Sequence, residues 1–352
     1  MNAFDLDGVR LLHCDALSGL QSMEGESVHC CVTSPPYFGL RDYGHAGQIG
    51  MESTPDEFVQ KLVDVFREVK RVLRDDGTLW LNIGDSYAGG VCGARDKGRW
   101  PKQSRNDHMV LHAKKNTGLK NKDLIGIPWM VAFALRADGW YLRQDIIWSK
   151  PNPMPESVTD RCTKAHEYIF LLSKSHRYYY DHEAIKEAPA QSSIARWNQN
   201  IEAQAGSDRV PGKTNGAMKA VGGRNAGNKS HKYVDEYNTS ESQEHRTKAG
   251  LMDIADVEWQ SRNKRSVWTV GTKPFKGAHF ATFNPELIMP CIMAGSPAGG
   301  TVLDPFMGSG TTAITAHALG RRSIGCEING EYLNDICIPR VKQATKQQRL
   351  IA

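Results

Sequence analysis

The chain has 352 residues, of which 40% are hydrophobic and 24% charged, and carries a formal net charge of +5. That fits a soluble globular protein with one large α/β domain plus an insertion, or two modest domains. No apolar run reaches the roughly 18 residues of a membrane-spanning helix, and the acidic start Met1–Arg10 lacks a secretory pattern.

The first expected strand is Leu11–Cys14, and the next is Val28–Thr33, which stops abruptly at Ser34-Pro35-Pro36. Thr54, Pro55 and Glu57 then make a helix start: a threonine cap, a proline suited to the first helical position, and a glutamate completing a capping box. Phe58, Leu62, Val65, Phe66, Val69 and Leu73 recur at helical spacing, and Asp75-Asp76-Gly77 is the expected stop. Thr78–Ile83 reads as a strand, Leu124–Ala137 as a helix, and Gln144–Ser149 and Tyr168–Leu172 as buried strands. Near the C-terminus come a strand (Thr301–Asp304), a loop (Pro305–Gly310) and a helix from Thr311 to about Leu319. A strand (Arg322–Glu327) and a helix from Glu331 to about Thr345 follow. This alternation predicts an α/β fold with a largely parallel sheet.

Two stretches break the rhythm. Residues 90–122 hold nine Lys/Arg against two acids, with Trp100 and two histidines. Residues 186–265 are rich in Gly, Asn, Ser and Gln, and their first part, 186–232, has eight Lys/Arg against three acids. Either could be a solvated loop, but two basic insertions in one α/β chain suit a phosphate backbone. The eight cysteines form no Cys-x-x-Cys pair, which argues against a zinc ribbon or disulfide framework and fits a reducing, cytoplasmic setting. No metal site is expected.

Asp304-Pro305-Phe306-Met307-Gly308-Ser309-Gly310-Thr311-Thr312 lies between a strand and a helix. Its glycines let a ligand approach the backbone, and the helix start offers N–H groups to an anion. Glu327 ends the next strand, 17 residues after Gly310, where a carboxylate can take both hydroxyls of a ribose. Gly308-x-Gly310-x-x-Ala313 alone also matches a dinucleotide fingerprint, which keeps an NAD-dependent oxidoreductase in play.

Thr33-Ser34-Pro35-Pro36-Tyr37 follows a strand directly, and its two prolines make a stiff corner at the carboxyl edge of the sheet, where ligands bind in open α/β folds. The corner brings together the Ser34 hydroxyl, the Pro35 carbonyl and the Tyr37 ring. A nucleobase amino nitrogen is a poor nucleophile because its lone pair is delocalised into the ring. Two acceptors that take its hydrogens can free that lone pair, and an aromatic ring can stack on a base extruded from a duplex.

Both motifs closely resemble those of the S-adenosylmethionine-dependent DNA amino-methyltransferases, which methylate cytosine N4 or adenine N6. The family corner reads (Asp/Asn/Ser)-Pro-Pro-(Tyr/Phe/Trp), and its cofactor loop resembles Asp304–Thr312. With the corner early and the loop late, the order is that of the β class. The resemblance implies a Rossmann-like fold with a mixed, mostly parallel sheet, circularly permuted. Residues 1–185 would form the catalytic half, 186–265 a target-recognition region, and 266–352 the cofactor half. It implies catalytic roles for Ser34, Pro35, Pro36 and Tyr37. Cofactor contacts would come from Asp15, Phe283, Asp304, Pro305, Phe306, Gly308, Ser309, Gly310, Thr311 and Glu327. His279–Leu287 resembles the segment enclosing the methionine end, although Asn284 departs from the usual Phe-Pro-x-x-Leu. Phe38–Gly44 resembles a flap. The implied partner is double-stranded DNA, held by 90–122 and 186–265; a homodimer and a restriction endonuclease partner stay open. Serine at the head of the corner favours cytosine N4 over adenine N6.

Other signals point to packing. Pro290-Cys291 lies in an apolar helical run and reads as core rather than as a nucleophile. His166-Glu167 opens a strand and reads as structural or cleft-lining, and Tyr178-Tyr179-Tyr180 as a packed strand end. Besides the oxidoreductase, a non-catalytic DNA-binding protein is the remaining alternative.

Overall fold

The computed structural model describes residues 2–40, 42, 44, 45, 47–89, 117–190, 192, 261–272 and 283–349. Most of both basic stretches, together with residues 279–282, therefore lies outside the described residues. The chain divides into two compact units, one of residues 1–185 and 265–352 and one of residues 186–264. In the second unit, Glu187 and Arg262 exchange backbone hydrogen bonds at 2.8 Å, and the Glu187 carboxylate pairs with Lys264 at 2.9 Å.

In the first unit nine strands form one sheet. They are β1 (Asn2–Leu6), β2 (Val9–His13), β3 (Val28–Thr33), β4 (Leu73–Ile83), β5 (Tyr141–Ser149), β6 (His166–Ser173), β7 (Val267–Thr269), β8 (Thr301–Asp304) and β9 (Arg322–Glu327). The order across the sheet is β1-β2-β9-β8-β3-β4-β6-β5-β7. Only β1 and β6 run against the rest, so the sheet is mixed but mostly parallel.

The boundaries of β3, β8 and β9 agree with expectation. Prolines close β3 and β8, because a residue without an N–H cannot continue a central ladder. The helices are α1 (Ala16–Gln21), α2 (Pro55–Val72), α3 (Ile127–Ala137), α4 (Pro285–Gly295), α5 (Thr311–Ala318) and α6 (Ile338–Arg349). Thr54 caps α2 by accepting from the Glu57 N–H at 3.2 Å. This helix stops at Val72, short of Asp75-Asp76-Gly77, because Leu73 is already extended and pairs with Val28 as the first residue of β4. Helix α3 starts later than expected, at Ile127. Its cap is supplied from afar: the Asp85 carboxylate accepts from the N–H groups of Gly126 and Ile127 at 3.0 and 3.1 Å. The last expected helix is split into a π-helical turn, Tyr332–Cys337, and α6.

Alternation along the central strands separates two cores. Cys31, Leu79, Leu81, Phe170 and Leu172 face α2 and α3 with Phe58, Leu62 and Leu135. Cys30, Val32, Trp80, Ile169 and Leu171 face α4 with Leu287, Ile288 and Cys291. Helices thus cover both faces, as a buried parallel sheet requires. Cys291 is 1% exposed, in keeping with the core reading. Tyr178–Tyr180 do not end a strand: β6 stops at Ser173, and the Tyr179 N–H donates to the Asp76 carbonyl at 2.8 Å. Among the described residues no helix is long and apolar enough to cross a membrane.

Candidate active site

The two motifs meet in the middle of the sheet. β3 and β8 are hydrogen-bonded neighbours, with Cys30 opposite Val302 and Cys31 opposite Leu303. From β8 the chain crosses over to β9 on one side, and from β3 to β4 on the other. That reversal opens a crevice at the carboxyl ends of both strands, the usual ligand site of a doubly wound sheet. Ser34–Tyr37 and Pro305–Gly310 form its two lips.

Asp304 stitches the lips together. It is 1% exposed, one oxygen accepting from the Thr33 hydroxyl at 2.6 Å and the Phe306 N–H at 3.0 Å, and the other from the Thr312 hydroxyl at 2.6 Å. Burial pushes its carboxyl up to about 6, against the pull of those hydrogen bonds. Asp304, expected among the cofactor contacts, therefore points inward, its oxygens taken by protein donors, and braces the loop from beneath.

Glu327, 9% exposed, bonds the same loop. Its two oxygens accept from the Gly308 and Asn329 N–H groups, each at 2.8 Å, and burial raises its carboxyl above the ordinary range despite those bonds. A carboxylate offers about four acceptor positions, so two remain for further donors. Gly310, in the left-handed region at φ 80°, begins α5 without a side-chain cap, which leaves the first helical N–H groups to a ligand. Ser309 and Thr311, both 3% exposed, support the loop from inside, and Arg340 of α6 donates to the Ser309 carbonyl and, at 3.4 Å, to the Thr311 hydroxyl. Pro305 is buried, and Phe306 is partly buried against the α2 core.

Asp15, at the end of β2, caps α1 by accepting from the Ser18 N–H at 2.9 Å. Burial works to raise its carboxyl, but hydrogen bonds led by Ser18 outweigh it and hold it below the ordinary value. Phe283 is partly buried against the α4 core. Asn284 caps α4 through a 3.1 Å bond from the Glu286 N–H, which gives the departure from Phe-Pro-x-x-Leu a structural reason.

On the other lip Pro35 is buried, and Ser34, Pro36 and Tyr37 are partly exposed. Among the described residues no group takes the Ser34 hydroxyl or the Pro35 carbonyl, so both acceptors stand available. Phe38 is no flap residue: it is 4% exposed, with its ring 5.6 Å from that of Phe58. Tyr37 donates to Glu167 at 2.6 Å. Arg340 is the residue that sequence reasoning did not place at the site, since nothing local marks it, and the sequence marks Glu167 only as structural or cleft-lining.

A cleft of about 340 Å³, lined by residues of β1, β2 and β9 and by Thr301 at the start of β8, opens at the opposite edge of the sheet.

A family model described as DNA methylase matches residues 28–337. The chain is 43% identical over 338 residues to the Type II methyltransferase M.Cfr9I of Citrobacter freundii, spanning 96% of this chain and 89% of that protein. It is 42% identical over 328 residues to the Type II methyltransferase M.SmaI of Serratia marcescens, spanning 93% and 89%. The fold matches the PvuII DNA methyltransferase (cytosine-N4-specific) with a TM-score of 0.54 at 15% identity, over 96% of this chain and 91% of that one. It also matches a putative DNA modification methylase of Thermus thermophilus, solved with S-adenosyl-L-methionine, with a TM-score of 0.53 at 22% identity, over 96% and 94%.

Proposed function

The chain belongs to the DNA methylase family of amino-methyltransferases, and from that premise we propose that it methylates cytosine N4 in a base extruded from duplex DNA. It is a site-specific Type II enzyme of the N4/N6 family and uses S-adenosylmethionine. The oxidoreductase reading gives way to that membership. The observation carrying the proposal is that two acceptors, the Ser34 hydroxyl and the Pro35 carbonyl, which no described residue occupies, stand across one strand spacing from the glycine loop.

The neighbouring strands β2, β9, β8 and β3 end in Asp15, Glu327, the Asp304–Gly310 loop and the Ser34–Tyr37 corner, in that order. At about 4.8 Å per strand the row spans about 14 Å, room for an extended nucleoside with an amino-acid tail. Asp15 would face the adenine, Glu327 the ribose hydroxyls, and the N–H groups at the start of α5 the methionine carboxylate. When bound, the cofactor supplies a methyl group activated on a sulfonium. Ser34 and Pro35 accept the two amino hydrogens and release the nitrogen lone pair, while the Tyr37 ring stacks on the base. The transfer would form a carbon–nitrogen bond as the carbon–sulfur bond breaks to leave a neutral thioether, and the proton then shed by the amino group would pass to solvent. Cytosine rests on serine at position 34. The basic segments 90–122 and 186–265 hold the duplex, with the latter reading the target, and the chain carries its catalytic half first, as in a permuted member of the family.

Methylation of plasmid DNA in vitro, followed by nucleoside mass spectrometry and modification-sensitive sequencing, tests this. N4-methyldeoxycytidine is expected; N6-methyldeoxyadenosine instead would overturn the choice of base. Ser34→Ala should keep cofactor affinity and lose about 100-fold or more in turnover, the scale of deleting one preorganised polar group. Unchanged turnover would remove Ser34 from the chemistry.

A further inference from the structure

A polar cluster at the carboxyl edge surrounds the Tyr37 hydroxyl. Glu167, the second residue of β6, has a side chain only 15% exposed. One of its oxygens accepts from the Tyr37 hydroxyl at 2.6 Å and the Asn82 amide at 3.3 Å, and the other pairs with Lys150. Asn82, 4% exposed, is itself fixed by donating to the Tyr168 carbonyl at 3.0 Å. Lys150 is held in turn by the Trp148 ring, whose centroid lies 4.3 Å from its ammonium group. The cluster spans four elements: the corner after β3, then β4, β6 and the end of β5.

A largely buried carboxylate is costly unless charge and hydrogen bonds compensate it, and here an ammonium, an amide and a phenol do so. Packing alone would need only a phenylalanine at position 37. The phenol hydroxyl adds a charge-assisted bond, which is short and directional. Gly84 completes the seat, since a Cβ there would fall 2.6 Å from Tyr37 Cε2. The ring is therefore gripped at its hydroxyl chiefly by Glu167, with the Asn82 amide oxygen a longer acceptor at 3.4 Å, and is flanked by bare backbone at Gly84. Stacking on a base requires the face of the ring to be presented, and a free tyrosine on a loop would leave its rotamer unset.

We propose that Glu167 is a positioning residue for the methyl transfer: it locks the Tyr37 ring in the orientation that receives the target base, with Lys150 balancing its charge. This rests on the reading that the Ser34–Tyr37 corner takes an extruded base. The loss of Glu167 should then weaken base capture and leave the cofactor end intact.

The test compares full-length wild type, Glu167→Ala, Glu167→Gln, Tyr37→Phe and the Tyr37→Phe/Glu167→Ala double variant on one plasmid substrate, with S-adenosylmethionine affinity measured by calorimetry. Cofactor affinity is expected to stay within about twofold throughout. Glu167→Ala should raise KM for DNA about tenfold, the scale of one base–aromatic stack. Glu167→Gln, whose amide oxygen can still accept from Tyr37, should recover most of that loss. Tyr37→Phe should match Glu167→Ala, and the double variant should be no worse than either single one. Losses that multiply in the double variant, or a Gln variant as impaired as the Ala variant, would overturn the proposal. So would a fall in kcat with KM unchanged. If Glu167→Ala fails to fold, Glu167→Gln and Tyr37→Phe still decide: both must show the predicted KM pattern. A wild type that transfers no methyl group to DNA would instead sink the underlying reading.

Discussion

Two carboxylates on adjacent strands show how differently one functional group can sit in a fold. Asp304 is sealed under the glycine loop with its carboxyl pushed up to about 6. The folded protein therefore holds a proton, between the ordinary value of 3.8 and about 6, that the unfolded chain has released. This group's contribution to stability is complete below about pH 4 and is lost as pH rises through about 6. Asp304→Asn carries no such proton and keeps one acceptor oxygen. Urea denaturation at pH 5 and 7.5 should show the wild type losing about 1–2 kcal/mol relative to the variant across that interval; a constant difference would mean that Asp304 titrates normally. Glu327, whose oxygens take only two backbone donors, should behave as a ligand. Glu327→Gln is expected to cost about tenfold or more in S-adenosylmethionine affinity while the protein stays folded, read by calorimetry beside a melting curve. The type and spacing of both acids were legible in the sequence, because each ends a strand beside a turn. Which of them points inward was not, since that depends on Thr33, 271 residues from Asp304 along the chain. The same holds for Glu167 and Arg340, whose partners lie on other elements.

At the level of elements, close packing fixes glycines where helix and loop cross the sheet. A Cβ on Gly295, the last residue of α4, would lie 2.6 Å from both Cys30 Sγ and Trp80 Nε1 and 2.8 Å from Thr78 Oγ1, all buried. A Cβ on Gly325 of β9 would lie 1.9 Å from Met307 Cε and 3.0 Å from Met307 Cβ. Gly295→Ala should destabilise the fold by about 1–3 kcal/mol without altering cofactor affinity per folded molecule. Gly325→Ala should reduce both, because Met307 belongs to the loop itself; thermal melts and calorimetry separate the two. Equal effects at both positions would contradict this division. Elements with strong punctuation were legible: Pro35-Pro36 ends β3, Pro305 ends β8, and Thr54-Pro55 starts α2. β1, α1 and β7, of five, six and three residues, carry no periodic signal long enough to read. The start of α3 is hidden from local pattern because its cap, Asp85, is 41 residues upstream of Gly126.

Across the whole molecule, the decisive fact is that the site is built from strand ends brought together by the order β2-β9-β8-β3-β4. That order follows from pairing between distant segments, which no local pattern encodes; the two motifs were readable, their adjacency only by resemblance. Among the described residues Lys150 is paired with Glu167 and Arg161 with Glu156. The unbalanced positive charge of the chain lies instead in the basic stretches, with nine Lys/Arg against two acids in 90–122. Replacing Lys97, Arg99, Lys102 and Arg105 together with alanine should therefore spare S-adenosylmethionine affinity and weaken DNA binding most at low salt. For every phosphate left without its cation, the slope of log affinity against log salt should fall by about one. Fluorescence anisotropy with a labelled duplex at several salt concentrations measures that slope. A variant whose slope equals that of the wild type would place the DNA-holding charge elsewhere, and would shift the expectation to residues 186–265.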